Sequence, residues 1–567
     1  MKTRKSPREK SQPDIAPAPA GTTETGPHTL TVLEQFLERH GVWIAILLVA
    51  IGTARIVSTY WEFSFTSDEP AHVGAGMEWV AKHVYKYEPQ HPPLTRGMAA
   101  LLPWLAGAHP WGEANMSQEG LHVLWGNGNP DTMLALARAG MLPFFWIMCW
   151  AVYAITKWTA GARTPAVFAL LLVTNIPSVL AHAGLATTDI GLTATFLLAT
   201  YALWRWVAEP TWNRAALAGA ALGGTVIAKF STLAFLPATA GAGLALWWFL
   251  DDSQEGAWRA KARRLVPQGL VAGAVAAVIV WGIYFFSFGK SGMFSFSVPA
   301  PELFDGLIQV QDHNKTGHRA FLLGEIRDTG WYYFYVVALA VKMPLAILGL
   351  GIAGLVMLMR KQHRTQGSLL APSVALGIMV FASFFSRIQI GLRHILPVTV
   401  ALAIGGGCAL YWMLPWLSRK NWGVVATVST LVLCAAPSIL AHPDYIPYFN
   451  PLAGSRPDNV LSDSDLDWGQ DVKRVAKRLK QLGATTVVYN QLFPGRLDEL
   501  YGFPSTYGPL RADGPIPGWN VVGPTPLRIG MFGRAMIEYP KGYQFWPDKV
   551  APTEIVGTHR LYYAQPR

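Results

Sequence analysis

The stretch Thr66 to Arg96, TSDEPAHVGAGMEWVAKHVYKYEPQHPPLTR, follows directly after the first hydrophobic run of the chain. It contains an adjacent acidic pair, Asp68 and Glu69, together with histidines and a Pro-Pro step that favours a turn. Acidic side chains at the edge of a membrane are costly and usually serve a function. We therefore take this stretch as the centre around which the remaining chain is arranged.

The composition is that of a membrane protein. Of 567 residues, 14% are charged and 51% are hydrophobic, and the mean hydropathy is positive. The net charge of +11 does not indicate nucleic-acid binding, because the cations form short clusters between apolar runs, as the positive-inside rule predicts. The three cysteines, Cys149, Cys408 and Cys434, lie in apolar runs, so neither a disulfide framework nor a thiolate metal site is expected.

The apolar runs predict a polytopic α-helical membrane protein with about eleven transmembrane helices. A run of this kind crosses about 30 Å of hydrocarbon at about 1.5 Å per residue. A shorter run at 94–107 is broken by Pro103, and we expect it to lie in the interface plane. The eleven runs lie near 42–58, 133–156, 165–182, 189–206, 214–229, 231–250, 268–288, 332–358, 370–386, 394–416 and 422–441.

The basic clusters between these runs predict the sidedness of the chain. With eleven spans, the N-terminal tail and every basic loop fall on the cytoplasmic side, whereas a twelfth span at 94–107 would move the later clusters outside. The predicted parts are a disordered basic cytoplasmic tail (1–40), a transmembrane domain (41–441) with outer loops at 59–132 and 289–331, and an outer C-terminal domain (442–567).

The C-terminal segment differs in composition from the membrane part, because Pro and Gly are spaced through polar sequence. One helix, Val472 to Leu482, and one strand, Thr485 to Tyr489, are clear in its pattern. A small α/β domain is therefore expected on the outer side.

The first outer loop predicts an interfacial helix that begins after Asp68. Pro70 suits the first helical turn, and an apolar stripe at helical spacing is expected to hold the loop against the bilayer. By spacing alone Asp68 is equally well explained as a helix cap, and Glu69 as a complement to the helix dipole. The stripe consists of Val73, Met77, Val80 and Val84.

A second acid, Asp189, opens the fourth predicted span in the sequence ATTDIG. The predicted topology places it on the same side as Asp68, and two acids at membrane depth facing one compartment favour a function. A simple helix cap by Asp189, Thr187 or Thr188 is the competing explanation.

Several cations lie where the positive-inside rule does not expect them, within apolar runs or in outer loops. A buried cation needs an anionic partner, and a phosphate group would serve all of them. Each alone is also explained by a salt bridge or by snorkelling to the interface. These residues are Lys229, His318, Arg319, Lys342, Arg387, Arg393 and His394.

Two other polar motifs resemble metal sites only superficially. His313 and His318 with Glu325 lack any zinc signature. The motif DSDLDWGQD, Asp463 to Asp471, lacks the glycine and the glutamate that a calcium loop requires. Its expected roles are capping the helix at Val472 and making polar contacts toward the membrane site.

Together these features resemble the GT-C glycosyltransferases, in particular the branch of the protein O-mannosyltransferases and the lipid A aminoarabinose transferase. The resemblance covers residues from about 40 to 490. Within this branch the chain is similar to a bacterial subgroup. It is carried by Asp-Glu after span one, by Asp189 and Lys229, and by the segments HPPL, GHRAFLLGEIRDTGWYYFYVVALAVKMP, GLRHILP and DSDLDWGQD.

The resemblance implies roles for individual residues. Asp68 matches the catalytic acid of the family and Asp189 its second acid, while Glu69 becomes a supporting residue. His91 stands before proline where the aminoarabinose transferase pattern has a lysine near the donor phosphate, and histidine can be neutral at pH 7. Arg96, Arg319 or Arg393 would then compensate, with Lys229, His318, Lys342 and His394 as further contacts to the donor.

The implied activity is an inverting transfer of a sugar from a polyprenyl-phosphate lipid to a protein, lipid or glycan acceptor, with Asp68 as general base. No cofactor and no nucleic acid is expected, and the mechanism neither requires nor rules out a divalent metal. The implied location is a bacterial cytoplasmic membrane, with the N-terminus inside and the C-terminal domain outside. A transporter or lipid-linked sugar flippase is the alternative, and a structural anchor for the outer domain is a weaker third hypothesis.

Overall fold

The computed structural model describes residues 29–126, 128–250, 257–492 and 497–565. The predicted tail at 1–28 lies outside these residues. The first helix begins at Thr29, so residues 29–40 are helical and the boundary expected near residue 40 was wrong.

The part of the chain before residue 441 is built from helices. Their bounds, in chain order, are α1 Thr29–Val57, α2 Glu69–Lys82, α3 Pro93–Leu105, α4 Met116–Trp125, α5 Pro130–Ala139, α6 Leu142–Ala160, α7 Thr164–Val173, α8 Pro177–Ala183, α9 Asp189–Ala208, α10 Trp212–Val226, α11 Thr232–Leu250, α12 Ala257–Ile283, α13 Pro301–Thr316, α14 Phe334–Lys342, α15 Leu345–Met359, α16 Leu370–Phe384, α17 Leu396–Leu417 and α18 Gly423–Leu440.

Among the described residues, seven helices are long and apolar enough to cross a membrane, or up to eight if α7 and α8, bent by 72°, form one span. The chain is therefore a multi-pass membrane protein. Each of the eleven predicted runs contains a helix, but some are shorter than expected: α10, α15 and α16 each have 15 residues. The run at 332–358 is divided into α14 and α15 at Pro344, which lacks an amide hydrogen for a continuous helix.

Small residues allow the membrane helices to approach closely. An added Cβ at Gly354 of α15 would lie 1.8 Å from the carbonyl oxygen of Gly405 in α17. Only glycine fits there, as is common where membrane helices cross. The same helix α17 is buried along most of its length, so it forms the centre of the helical part.

The two outer loops and the C-terminal domain meet at one end of the helices. Trp125 Nε1 donates to the carbonyl oxygen of Leu500 at 3.1 Å, and Arg319 Nε donates to that of Ile529 at 2.8 Å. Basic segments lie at the other end, where Glu38 accepts hydrogen bonds from the backbone N–H groups of Arg163 and Thr164. This division agrees with the predicted arrangement of loops, and which end faces the cytoplasm stays a prediction.

The C-terminal domain has the predicted α/β character, and the expected helix and strand are confirmed as α19 and β5. Its five-stranded sheet has the order β10, β11, β7, β5, β6, in which β5 runs parallel to β6 and β7 while the other pairs are antiparallel. The remaining hairpins are β1 with β2, β3 with β4 and β8 with β9. The strands are β1 Phe288–Ser291, β2 Phe294–Pro299, β3 Ala320–Leu322, β4 Glu325–Arg327, β5 Thr486–Tyr489, β6 Ser505–Gly508, β7 Gly518–Val522, β8 Met531–Phe532, β9 Ala535–Met536, β10 Glu554–Val556 and β11 His559–Ala564, and the helices are α19 Val472–Gln481, α20 Leu497–Tyr501, α21 Pro524–Arg528 and α22 Trp546–Lys549.

The apolar stripe of α2 faces protein and not the bilayer, contrary to the prediction. Val73 and Met77 are fully buried, because α2 is enclosed by α3 and α4. The approach is so close that an added Cβ at Gly76 would lie 1.9 Å from the carbonyl oxygen of Arg96. The start of α2, where the acidic pair lies, is therefore held rigidly.

A buried ion pair fixes the start of α2 to the rest of the helices. Arg138 Nη2 and Nε lie 2.9 Å from the two carboxylate oxygens of Glu69, and both side chains are almost inaccessible to solvent. The carboxylate also accepts hydrogen bonds from the backbone N–H groups of Thr66 and Ala186 and from the Thr66 hydroxyl. Glu69 is thus a structural residue, and its pair with Arg138 goes beyond the predicted complement to the helix dipole.

Replacing Arg138 with Leu is expected to lower the free energy of unfolding by about 3 to 5 kcal/mol, because the Glu69 carboxylate is left buried without its counter-charge. Thermal unfolding of the purified protein in one detergent measures this as a lower midpoint. Arg214→Leu is the matched control, since its pair with Glu209 is partly exposed and is worth about 0 to 1 kcal/mol. Equal midpoints for the two variants would contradict this role for Arg138.

Candidate active site

Asp68 lies at the position before α2, yet its carboxylate does not cap the helix. Its Oδ2 accepts a hydrogen bond from Nη1 of Arg393 at 3.1 Å, across 325 residues of sequence. The side chain of Asp68 is 38% exposed, whereas that of Arg393 is only 6% exposed. The local explanation of Asp68 as a helix cap was wrong, and an accessible carboxylate with a buried cationic partner takes its place.

Asp189, the first residue of α9, is fully buried and has two cationic partners. Lys229 Nζ donates to its Oδ1 at 2.6 Å, and Arg393 Nη1 lies 3.5 Å from its Oδ2. Lys229 is in the short turn between α10 and α11. Asp68, Arg393, Asp189 and Lys229 therefore form one continuous chain of charges, and the structure brings together four of the residues predicted from sequence.

The guanidinium of Arg393 has a second type of partner and one unused donor. Its central carbon lies 4.0 Å from the ring centroid of Trp468, which is the geometry of a cation–π interaction. Within the described part of the chain, the buried Nε of Arg393 has no hydrogen-bond partner. A buried donor of this kind is expected to bind an oxygen atom supplied by a ligand or by water.

The predicted histidines have different positions relative to this cluster. His394 follows Arg393 directly and is partly exposed. His318 lies near the cluster, and burial together with the charges of His313 and Arg393 lowers its pKa. A neutral His318 can accept or donate a proton in a hydrogen bond without adding charge to the site.

Arg96 and His91 belong to a separate buried network in the first loop. Arg96 Nη2 lies 2.5 Å from a carboxylate oxygen of Glu88, and its Nε donates to Nδ1 of His72 at 3.0 Å. Burial and the charge of Arg96 lower the pKa of His91. His91 therefore does not supply the positive charge of the lysine it replaces, and the donors of Arg96 are already occupied by Glu88 and its neighbours.

Arg319 and Lys342 have hydrogen-bond partners outside the charge cluster. Arg319 donates to backbone carbonyl oxygens of the C-terminal domain, at Ile529 and Ile537. Lys342 is buried, and its Nζ donates to the carbonyl oxygens of Ile446 and Asp465 at 2.7 and 2.5 Å. Lys342 joins α14, and Arg319 the second outer loop, to the C-terminal domain, so their predicted contacts to substrate are not supported by these partners.

The segment Asp463–Asp471 lies beside the cluster, as expected, but its other predicted role was wrong. The carboxylate of Asp471 does not cap α19. It accepts hydrogen bonds from the backbone N–H and hydroxyl of Thr558, both at 2.9 Å. The contact of Trp468 with Arg393 was not predicted, because the motif itself contains no signal that identifies the partner of its aromatic ring.

Asp463 is an acid of this segment whose charge acts on Arg393. Burial raises the pKa of Asp463 to about 6, against the opposing charge of Arg393. Its backbone φ of 59° lies in the left-handed region, which non-glycine residues other than Asn and Asp rarely adopt.

Comparison with known proteins identifies similarity to sugar transferases. A family model described as dolichyl-phosphate-mannose-protein mannosyltransferase matches residues 80–289. This match confirms the resemblance to the protein O-mannosyltransferase branch of the GT-C superfamily. The matched region includes Asp189 and Lys229, whereas Asp68 and Arg393 lie outside it. No curated protein matches the chain.

Two crystal structures of ArnT from Cupriavidus metallidurans are similar to the chain. The structure bound to undecaprenyl phosphate has 17% sequence identity and a TM-score of 0.49, and the match covers 74% of this chain and 68% of that one. The apo structure has 15% identity and a TM-score of 0.49, with 82% of this chain and 86% of that one covered.

Asp463→Asn is expected to raise the thermal unfolding midpoint by an amount that depends on pH. The pKa of Asp463 in the folded state lies above the ordinary aspartate value. Its contribution to the free energy of unfolding is therefore retained at low pH and lost as pH rises through about 6. Asparagine does not ionise, so the difference between variant and wild type grows between about pH 4 and pH 6 and then levels off. Any relief of backbone strain adds the same amount at every pH.

Asp458→Asn provides a control of opposite sign. Arg456, Arg528 and Arg560 lower the pKa of Asp458 although burial opposes them, so its loss destabilises the protein at neutral pH and less in acid. A midpoint difference for Asp463→Asn that does not change from pH 4 to pH 8 would contradict the account of Asp463.

Proposed function

We propose that this protein is a membrane glycosyltransferase that moves a sugar from a polyprenyl-phosphate lipid to an acceptor hydroxyl, with inversion at the anomeric carbon. The observation that carries the proposal is the contact between the accessible Asp68 and the buried Arg393, with Asp189 and Lys229 behind them. The match to the mannosyltransferase family model supports a membrane glycosyltransferase that uses a lipid-linked sugar.

Asp68 acts as the general base in this proposal. The acceptor hydroxyl hydrogen-bonds to the Asp68 carboxylate and attacks the anomeric carbon, and the carboxylate takes its proton. The bond between the anomeric carbon and the phosphate oxygen breaks, and the electron pair leaves with the polyprenyl phosphate. Attack on the face opposite the leaving group inverts the configuration in a single step, so no covalent enzyme intermediate is formed.

Arg393 and Lys229 stabilise the phosphate as it leaves. Charge accumulates on the phosphate oxygens in the transition state, and positioned cations in a partly buried site stabilise it. Within the described residues, the buried Nε of Arg393 has no partner, and its N–H can donate to such an oxygen. His394 and His318 border the same region and complete the proposed contacts to the donor.

Asp189 is a positioning residue in this proposal. Without donor, the cluster of Asp68, Asp189, Lys229 and Arg393 contains two negative and two positive charges, and therefore sums to zero. Asp189 keeps Lys229 and Arg393 from being unpaired buried cations, which would be strongly destabilising. It holds both cations on one carboxylate, with Lys229 on Oδ1 and Arg393 on Oδ2.

The proposed partners follow from the chemistry of the site and from the expected topology. The donor is a sugar on a polyprenyl phosphate, and the acceptor is a protein, glycolipid or envelope glycan that presents a hydroxyl group. The reaction takes place on the outer face of a bacterial inner membrane, where the two loops and the C-terminal domain are proposed to lie. The site itself requires neither a nucleotide nor a metal for these steps.

Asp68→Asn is expected to lower transfer by at least about 100-fold, because the amide cannot take the hydroxyl proton. The assay uses purified protein in vesicles prepared with a membrane extract from cells that lack the protein, which supplies donor and acceptor. Mass spectrometry follows the release of polyprenyl phosphate. Asp312→Asn, an exposed acid of the second outer loop, is the matched control and retains wild-type activity.

Near-normal turnover by Asp68→Asn would remove Asp68 as the base. Movement of an intact lipid-linked sugar across the vesicle bilayer, without release of polyprenyl phosphate, would instead support a flippase.

A further inference from the structure

A loop of the C-terminal domain lies between the two halves of the proposed active site. This active-site loop, residues 463–470, connects the short segment after α18 to α19. Asp68 is in the first outer loop and Arg393 precedes α17, so the loop comes from a third part of the chain. Seven of its eight residues, from Ser464 to Gln470, are buried.

One side of the loop fixes the backbone and the side chain of Arg393. The carboxylate of Asp465 accepts the backbone N–H of Leu392 with both oxygens, at 3.0 and 3.2 Å. The hydroxyl of Ser464 donates to the carbonyl oxygen of Ile390. The ring of Trp468 then lies against the guanidinium at 4.0 Å. The direction in which Arg393 points is therefore set by the C-terminal domain.

Gly391 shows how closely the two segments approach. Its φ of 137° is accessible to glycine, and an added Cβ would lie 2.4 Å from Oγ of Ser464. Contact over this short distance leaves no room for a side chain at position 391. The segment before Arg393 is thus shaped to fit the loop of the other domain.

The opposite side of the loop fixes the segment that carries Asp68. The carbonyl oxygen of Trp468 accepts the backbone N–H of Ser67 at 3.1 Å, and that of Gln470 accepts the N–H of Ser64 at 3.0 Å. The hydroxyl of Ser64 donates to the carbonyl oxygen of Gly469 at 2.8 Å. One residue, Trp468, therefore touches Arg393 with its ring and the neighbour of Asp68 with its backbone.

The loop is itself held in place by buried contacts. Lys342 Nζ donates to the carbonyl oxygen of Asp465 at 2.5 Å, and Thr525 Oγ1 donates to that of Asp467 at 2.7 Å. Within the loop, the side chain of Gln470 accepts the N–H of Trp468 at 2.8 Å. A loop fixed from the membrane helices and from its own domain can position other groups accurately.

We propose that the active-site loop completes the catalytic centre, with Trp468 as the residue that positions Arg393 for the donor phosphate and aligns it with Asp68. This proposal rests on the proposed function, because the phosphate is that of the lipid-linked donor. It assigns the C-terminal domain a part in the reaction, beyond a role as a receptor or anchor. Trp468 acts through Arg393 and does not itself touch the reacting atoms.

The test is a double-mutant cycle on the binding of a lipid phosphate. Undecaprenyl phosphate is titrated into the purified full-length protein in detergent, so that neither the sugar nor the acceptor has to be known. The variants are Trp468→Leu, Trp468→Phe, Arg393→Ala and the double variant of Trp468→Leu with Arg393→Ala. Trp546→Leu is the matched control, since Trp546 is a buried tryptophan of the same domain that packs on Tyr562.

Trp468→Leu is expected to weaken binding about tenfold, the scale of a desolvated cation–π contact. Trp468→Phe keeps an aromatic face and is expected to recover part of the affinity. In the Arg393→Ala background, Trp468→Leu is expected to change affinity by less than about twofold, because the partner through which it acts is already absent. Trp546→Leu is expected to bind as the wild type does.

Wild-type affinity in Trp468→Leu, or losses that multiply in the double variant, would overturn the proposal while leaving the function intact. A loss of affinity in Trp546→Leu as large as that in Trp468→Leu would also overturn it, since the effect would be a general one of domain stability. If Trp468→Leu does not fold, the other two single variants decide. Wild-type affinity in both Trp468→Phe and Arg393→Ala would overturn the proposal. Absence of binding by the wild-type protein would contradict the proposed function itself.

Discussion

The ion pair between Arg393 and the two acids Asp68 and Asp189 is the interaction on which the candidate site depends. A guanidinium remains charged at any relevant pH, and its burial is tolerated only because carboxylates and an aromatic face surround it. Asp189 is completely buried, whereas Asp68 is accessible. Arg393 therefore joins a buried acid to an accessible one, and Asp68 is the member of the cluster that solvent reaches.

The fold is arranged to bring distant segments to this cation. Asp68 precedes α2, Asp189 begins α9, Lys229 lies in the turn between α10 and α11, and Arg393 precedes α17. Each of these positions is the end of a helix, at the same end of the membrane part. The buried pair of Glu69 and Arg138 then fixes the residue beside Asp68. The adjacent acids have different tasks, since Glu69 stabilises the structure and Asp68 remains available.

Hydropathy and local pattern were sufficient to predict the helical membrane architecture and the helix and strand of the C-terminal domain, and to single out four charged residues that the structure places in one cluster. They were sufficient because apolar length and charge at membrane depth are properties of single segments. They did not reveal the partners of the cations. Arg319 and Lys342 looked as suitable for phosphate as Arg393, but their contacts depend on backbone carbonyls of a domain more than 100 residues later in the chain. The stripe on α2 was predicted correctly as apolar, yet periodicity does not distinguish a bilayer from a neighbouring helix.

The contents of the cell envelope provide the most direct test of the central claim, that the protein consumes a polyprenyl-phosphate sugar. Lipid-linked sugars and envelope glycans are compared by mass spectrometry between cells with the protein and cells without it. The account predicts that one polyprenyl-phosphate sugar accumulates in the cells without the protein and that one glycan or glycoprotein loses the same sugar. Unchanged lipid-linked sugars together with unchanged glycans would contradict it.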